Sequence, residues 1–109
     1  MAERIPDEAI VVRGGRNQPE DLEHGIGDHP SGIRGVSVEC DVDVTVAELA
    51  VGLPHKQIGV TSVGAVRSAG GDVVRTSGRS PRHATLTGLS ADAASRLLTP
   101  TIPNPARSA

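Results

Sequence analysis

The stretch that decides the fold class runs from Ile58 to Gly88 and reads IGVTSVGAVRSAGGDVVRTSGRSPRHATLTG. Short apolar segments within it predict strands, and one segment between them has apolar residues at helical spacing. The pair Gly70-Gly71 predicts the end of that helix, because glycine accepts the left-handed conformation found just after helices. The predicted order is strand, helix, strand, polar loop and strand, over residues 58–60, 61–69, 72–75, 76–82 and 83–88.

The flanking sequence adds two strands and two helices. Residues 9–13 form a short apolar run, and residues 35–39 alternate apolar and polar side chains as a half-buried strand does. A capping box of Thr45 and Glu48 predicts one helix start, and Ser90 predicts the start of a last helix. The sequence therefore predicts an α+β, or small α/β, domain with about five short strands and three short helices, in which helices pack on a single layer of sheet.

The chain of 109 residues is expected to form one domain, since this length lies in the common single-domain range. We expect the domain to span residues 9–100, between an N-terminal extension at 1–8 and a Pro-rich tail at 101–109. Residues 16–34 are rich in glycine and charge and show no period, which predicts a long mobile loop.

The core has to be built without aromatic rings, because the chain contains no Phe, Tyr or Trp. Its main apolar material is 13 Val, 6 Ile and 7 Leu, and β-branched side chains favour a sheet. Each buried aliphatic side chain contributes about 1.5–3 kcal/mol, whereas ordering the backbone costs about 1–2 kcal/mol per residue. We therefore expect a marginally stable domain, or one completed by a partner or by a second copy of itself.

Composition also argues against several classes of function. Without aromatic side chains the chain cannot stack bases as single-stranded nucleic-acid binders do, and a net charge of −2 gives no overall basic surface. The single cysteine, Cys40, is expected to be a small buried residue, and it cannot build a cysteine-based zinc site alone. His24 and His29 lie in the predicted loop without an ordered scaffold, so we expect no metal and no cofactor. No secretory signal or membrane helix is visible, which predicts a cytoplasmic protein without membrane contact.

The residues most suggestive of chemistry are His83 and Thr85, which share one face of the predicted strand 83–88. The imidazole can serve as a general acid or base, and the hydroxyl can hold a phosphate oxygen. The run His83-Ala84-Thr85-Leu86 resembles the signature of the two-histidine phosphoesterases, which work on RNA ends and cyclic phosphates. That family carries two copies of the signature, whereas this chain has one, and Leu53-Pro54-His55-Lys56 is not a second.

A group of arginines surrounds the loop that leads into this strand. Arg75, Arg79 and Arg82 can clamp a phosphate or another anion, because a guanidinium donates in a planar fork. The loop is therefore predicted to bind an anion beside His83; the alternative is a solvated loop without such a role.

A second resemblance lies in the front half of the chain. Ile10-Val11-Val12-Arg13-Gly14-Gly15, followed by Gly35-Val36-Ser37-Val38-Glu39, resembles the start of an ADP-ribosyltransferase domain. The resemblance implies that Arg13 holds a phosphate of the nicotinamide dinucleotide and that Ser37 braces the site. The glutamate that completes the family pattern has no matching position, since Glu39 and Glu48 both come too early.

A third resemblance covers most of residues 9–105. Four segments resemble uncharacterised small bacterial proteins that look like C-terminal modules of polymorphic toxins: Ile58-Gly59-Val60-Thr61, Ala69-Gly70-Gly71-Asp72-Val73-Val74, His83-Ala84-Thr85-Leu86 and Thr99-Pro100-Thr101. No activity is established for such proteins, and the resemblance implies a toxin-like role only.

Three hypotheses follow. The first is a small bacterial toxin-like domain that acts on an RNA phosphodiester or a nucleotide. Its residues are His83 as acid or base, Thr85 as phosphate ligand, Arg79 and Arg82 as charge stabilisers with Arg75 nearby, and His55 or Arg13 as a second group. The alternative is a non-catalytic module that dimerises, or binds a protein such as an immunity protein, through exposed strand edges. The third is an ADP-ribosyltransferase-like domain.

Overall fold

The chain folds into one antiparallel sheet with helices on both of its faces. The computed structural model describes residues 3–107 of the protein. Within that range the elements are, in chain order, β1 (Ile10–Gly14), α1 (Pro19–Gly25), β2 (Gly27–Asp28), β3 (Arg34–Asp41), α2 (Val46–Ala50), β4 (Gln57–Ser62), α3 (Val63–Ser68), β5 (Asp72–Arg75), β6 (His83–Thr87), α4 (Ala91–Leu98) and β7 (Ile102–Pro103).

The sheet order is β5-β6-β3-β1-β4-β7, with β2 paired to β3, and every one of these pairings is antiparallel. The predicted mixture of strands and helices around one sheet is confirmed. The described residues hold seven strands and four helices, slightly more than predicted. The two additional strands, β2 and β7, have two residues each, which is too short to show a period.

The two faces of the sheet carry separate apolar clusters. Val11 and Val12 are neighbours in β1, both fully buried, and they belong to different clusters because strand side chains alternate between faces. Helices α1, α3 and α4 cover the face of Val11, here called the main-core face. Helix α2 covers the face of Val12, here called the α2 face. Helix α2 has only five residues, so it leaves a polar part of the α2 face of the sheet uncovered.

Side-chain caps fix where the helices begin. The predicted capping box is confirmed: the Thr45 hydroxyl accepts the amide of Glu48 at 3.0 Å, and the Glu48 carboxylate accepts the amide of Thr45 at 3.2 Å. At the starts of α3 and α4, the hydroxyls of Ser62 and Ser90 each accept one backbone amide, those of Ala65 and Ala93. Each such cap stabilises a helix by about 1 kcal/mol. No helix in the described part of the chain is long and apolar enough to cross a membrane.

The segment predicted as a long loop, residues 16–34, instead contains α1 and β2. Pro19 occupies the first turn of α1, and Asp21 accepts the amide of Gln18 at 3.0 Å. Leu22 anchors the helix in the core with no exposed surface. One apolar residue in two turns gives no period, which is why the sequence pattern does not reveal this helix.

Both ends of the described chain pack against the domain. Ile5, within the predicted extension, is 1% exposed and belongs to the main core. In the predicted tail, Ile102 pairs with Ile58 of β4, and Asn104 is 1% exposed. The apolar core therefore draws on Ile5, outside 9–100, and the C-terminal segment is held by the β7–β4 pairing and by Asn104.

Candidate functional site

A cavity of about 650 Å³ opens on the uncovered part of the α2 face. Strands β1, β3 and β6 form its floor, and its walls are the loop after α2 and the loop between β5 and β6. Its polar lining includes Ser37, Glu39, His55, Arg79, Ser80 and His83. The cavity therefore joins the side chain of His55 to those of Arg79 and His83, which come from a distant part of the chain, and Arg13 also contributes to the lining.

The strand registers place the floor residues in a row. Glu39 of β3 lies directly opposite His83 of β6 and, on its other side, opposite Val12 of β1. Ser37 lies in the next row, opposite Thr85. The Cβ atoms of directly opposed residues are about 5 Å apart. The carboxylate of Glu39 and the imidazole of His83 therefore belong to one site.

The imidazole of His83 is held in place from several sides. Its Nδ1 lies 3.0 Å from the hydroxyl oxygen of Thr76 and 3.2 Å from the Thr76 carbonyl oxygen. Gly78 lies against the ring, where an added Cβ would overlap the His83 Cγ. The ring of His29 stacks on it with 5.9 Å between centroids. His83 is thus oriented and only half-buried, so its other ring edge remains available to a ligand.

His55 reaches the cavity from the loop between α2 and β4. Its ring lies over Gly14, where an added Cβ would overlap the imidazole Nδ1. The loop itself is tied to the C-terminal segment, because the Asn104 amide group donates to the carbonyl oxygens of His55 at 2.9 Å and Leu53 at 3.3 Å. A glycine in β1 and an asparagine in the tail therefore position the second histidine.

Arg79 supplies the positive charge at the cavity. It is exposed in the loop between β5 and β6, and no hydrogen bond or ion pair within residues 3–107 engages its guanidinium. Its five N–H donors are therefore available for an anionic ligand.

Two of the four predicted arginines are engaged elsewhere. Arg75 donates to the carbonyl oxygens of Cys40 at 2.7 Å and Arg82 at 2.8 Å, and it does not line the cavity. Arg82 lies 3.5 Å from the carboxylate of Asp41 and 4.0 Å from that of Glu48. Both guanidinium groups thus contact protein groups outside the cavity, and their predicted role in substrate binding stays a prediction.

Thr85 also differs from its predicted role. It is 3% exposed, and its hydroxyl lies 2.9 Å from the hydroxyl of Thr76. The alternation of β6 does put Thr85 on the same face as His83, but Thr76, the residue just after the neighbouring strand β5, covers it. Its hydroxyl therefore contacts protein rather than a phosphate.

Arg13 lies at the cavity wall with its guanidinium directed away from it. The alternation of β1 gives its side chain the face of Val11, and the guanidinium lies beside Gly25 at the end of α1. Burial lowers the pKa of Arg13, and the nearby carboxylate of Asp21 opposes that shift. Its Nε is buried without a hydrogen-bond partner. This geometry does not fit the predicted phosphate contact of Arg13 in the cavity.

Glu39, Ser80 and Thr76 were not predicted as site residues. Glu39 has one signal in the sequence: it is two residues from Ser37 in an alternating strand and so shares its face. Its position beside His83 depends on the β3–β6 register, which a single sequence does not give. No sequence feature marks Thr76 as a site residue, because it follows the predicted strand in a polar loop.

The described part of the chain offers no group of three or more His, Cys, Asp or Glu residues that could hold a metal ion. Cys40 is fully buried, as predicted. Burial raises the pKa of its thiol to about 11, with the nearby Arg75 opposing the shift. The thiol is therefore no nucleophile at neutral pH.

Comparison with known protein families, with curated proteins and with solved structures finds no match to this chain.

Proposed function

We propose that this chain is a small bacterial toxin-like domain that cleaves RNA phosphodiester bonds with His83 and His55 as its acid–base pair. The observation that carries the proposal is the convergence of His55, His83 and Arg79 on one cavity. Two groups that exchange protons and one cation are the side chains that metal-independent phosphoryl transfer requires.

The spacing of the two histidines suits a phosphate between them. His55 lies over Gly14 in β1, and His83 projects from β6, two strands away. The registers put Gly14 in the row of Ser37 and Thr85, so its position and that of His83 differ by two strand spacings and by two residues along the strands, about 12 Å in all. This separation leaves room for a phosphate and its two ester oxygens between the rings. In this reaction the 2′-oxygen forms a bond to phosphorus while the bond to the 5′-oxygen breaks. One imidazole takes the proton of the 2′-hydroxyl, and the other gives a proton to the 5′-oxygen.

Arg79 stabilises the negative charge of the phosphate. Negative charge accumulates on the non-bridging oxygens in the transition state, and a guanidinium with free donors stabilises it. The flexibility of an exposed arginine lets it follow the substrate into the cavity. No other arginine side chain in the described residues is both at this cavity and free of protein partners.

Glu39 and Ser37 favour RNA over DNA. Their carboxylate and hydroxyl lie on the cavity floor beside His83, where they can accept hydrogen bonds from ribose hydroxyls. A carboxylate repels a phosphate, so the floor is suited to the sugar and the arginine side to the phosphate. The cavity volume of about 650 Å³ falls within the usual range for small-molecule sites, roughly 300–1,000 Å³. It therefore accommodates a nucleotide unit of a longer chain.

The experiment is a cleavage assay on a labelled single-stranded RNA of mixed sequence and a DNA of the same sequence. We expect cleavage of the RNA only, with 2′,3′-cyclic phosphate ends detected by mass spectrometry. His83→Ala and His55→Ala should each lower the rate by about a hundredfold or more, and Arg79→Ala by about a hundredfold. The matched control is His24→Ala, which removes an exposed histidine outside the cavity and should leave the rate unchanged. Equal losses in His24→Ala and His83→Ala, or an intact protein that cleaves neither polymer, would refute the proposal.

The two other hypotheses have weaker support. Nicotinamide dinucleotide in the cavity would not reach the guanidinium of Arg13, which lies beside Gly25. Pairing between copies through the edge strand β5 would have few backbone groups to bond. The strand has only four residues, and the carboxylate of Asp72 accepts the backbone amide of Val73 at 2.8 Å. Sizing chromatography tests the second point, and a monomer is the expected result.

A further inference from the structure

The hydrogen bonds of His83 determine which of its ring nitrogens carries the proton. Nδ1 lies 3.2 Å from the carbonyl oxygen of Thr76, and a carbonyl oxygen only accepts hydrogen bonds. A lone pair on Nδ1 would face the lone pairs of that oxygen and be repelled. Nδ1 must therefore donate, to the carbonyl and to the Thr76 hydroxyl at 3.0 Å together.

The hydroxyl of Thr76 is then free to donate its own proton to a neighbouring side chain. The hydroxyl of Thr85 lies 2.9 Å from it, so with the proton on Nδ1 the Thr76 hydroxyl accepts from His83 and can itself donate to Thr85. Thr76 is 8% exposed and Thr85 is 3% exposed, which keeps competing water away from both hydroxyls. Hydrogen bonds in such a screened place hold a fixed direction better than bonds at the surface.

The opposite ring nitrogen, Nε2, is left open. No hydrogen bond within residues 3–107 engages it, and it is not among their buried side-chain atoms that lack a partner, so it reaches solvent. With the proton on Nδ1, Nε2 carries the lone pair at the ring edge that faces away from Thr76. His83 lines the cavity, so this lone pair is available to a ligand there.

We infer that Thr76 and Thr85 are positioning residues that hold the His83 proton on Nδ1, so that Nε2 is the ring nitrogen that exchanges a proton with the substrate. The inference rests on the proposed function for that exchange. The placement of the proton itself rests only on the contacts of Thr76 and Thr85. The two hydroxyls replace the carboxylate that often orients a catalytic histidine through the same nitrogen.

The proton position is measured directly by long-range ¹H–¹⁵N correlation spectra of the histidine rings, with His83 assigned by comparison with His83→Ala. In the intact protein, above the pH at which the ring is charged, Nδ1 should be protonated and Nε2 unprotonated. Thr76→Val removes the hydroxyl contact of Nδ1 but keeps the Thr76 carbonyl, so it should lower the fraction of the Nδ1–H tautomer in part, whereas Thr76→Ser should retain it in full. Thr87→Val is the matched control, because it removes a hydroxyl from β6 that bonds the Arg34 carbonyl and not His83.

A kinetic readout separates positioning from general damage to the fold. Thr76→Val should lower kcat for RNA cleavage by about ten- to a hundredfold with little change in KM, and Thr76→Ser should recover activity to within a few-fold. A proton found on Nε2 in the intact protein overturns the inference. So does a Thr87→Val variant that shifts the tautomer as much as Thr76→Val does. If the Nδ1–H tautomer is found but no RNA is cleaved, the proposed function fails while the positioning role of the two threonines stands.

Discussion

The side-chain amide of Asn104 donates a hydrogen bond of 2.9 Å to the carbonyl oxygen of His55. It is one of several bonds through which the C-terminal segment holds the loop that carries this histidine. The backbone amide of Asn104 also donates to Lys56, and its side-chain oxygen accepts the amide of Ala106 at 2.9 Å. The tail thus supports the site through two cavity-lining residues, His55 and Leu53.

Replacing Asn104 with alanine should destabilise the protein and release the His55 loop. The change removes two donated bonds and one accepted bond from a residue that is 1% exposed, so we expect a loss of about 1–3 kcal/mol. Urea unfolding measures the change in free energy. Thr101→Val serves as the control in the same segment, because its hydroxyl bonds the exposed Gln57 side chain and its loss should cost less than about 0.5 kcal/mol. Equal stability of the Asn104→Ala variant and the intact protein would contradict this role of the tail.

Gly14→Ala should displace His55 without unfolding the domain. A Cβ at Gly14 would overlap the His55 ring, and the ring is exposed, so it can move away at small cost. We expect a stability change below about 1 kcal/mol and a loss of RNA cleavage of about tenfold or more, since the ring leaves its position over β1. Gly27→Ala is the matched control, because a Cβ there meets nothing within 4 Å. If Gly14→Ala cleaves RNA as well as Gly27→Ala does, the position of His55 over β1 has no part in catalysis.

Local signals predicted a good part of this fold. The capping box of Thr45 and Glu48 depends on four adjacent residues, and it forms as expected. The alternating pattern of residues 83–87 predicted that His83 and Thr85 share one face of the sheet, because side chains in a strand change sides at every residue. Helix α1 could not be found in this way, since Leu22 is its single buried residue.

The candidate site was harder to predict because it depends on contacts between distant segments. Thr85 has the predicted face, yet the hydroxyl of Thr76, the residue just after β5, covers it, and only the β5–β6 pairing shows this. Arg75 and Arg79 look alike in the sequence, but the backbone carbonyls that engage Arg75 come from β3 and from the residue before β6. His55 joins His83 only because Asn104 and Gly14 position its loop.

The two arginines should therefore behave differently when each is replaced by alanine. Arg75→Ala leaves the carbonyl oxygens of Cys40 and Arg82 without a charged donor, and we expect a loss of about 2–3 kcal/mol. Arg79→Ala removes an exposed side chain without protein partners and should change stability by less than about 0.5 kcal/mol. Thermal and urea unfolding of the two variants under the same conditions provide the comparison. Comparable losses in both would mean that Arg79 also has a structural role.

Alkaline pH should destabilise the protein through Cys40. Burial raises the pKa of the folded thiol to about 11, against an ordinary value of 9.0. Between these values the unfolded chain loses the thiol proton and the folded protein keeps it, so ionisation favours the unfolded state. Stability from this group is complete below pH 9 and falls as the pH rises toward 11. At pH 10.5 the expected loss is about 2 kcal/mol.

The composition of the chain allows the loss of stability between pH 8 and pH 10.5 to be assigned to Cys40. The chain has no tyrosine, and Lys56 is its single lysine and is exposed, so few other groups titrate in this range. Urea unfolding at pH 8 and pH 10.5 should show the loss in the intact protein and not in Cys40→Ala, whatever the starting stability of that variant. A thiol-reactive reagent gives a second measurement: at pH 8 Cys40 should react slowly in the folded protein and rapidly in urea, because only the unfolded thiol is exposed and readily ionised. Parallel stability losses in the intact protein and Cys40→Ala, or rapid labelling of the folded protein at pH 8, would show that the thiol is not held in a dry core.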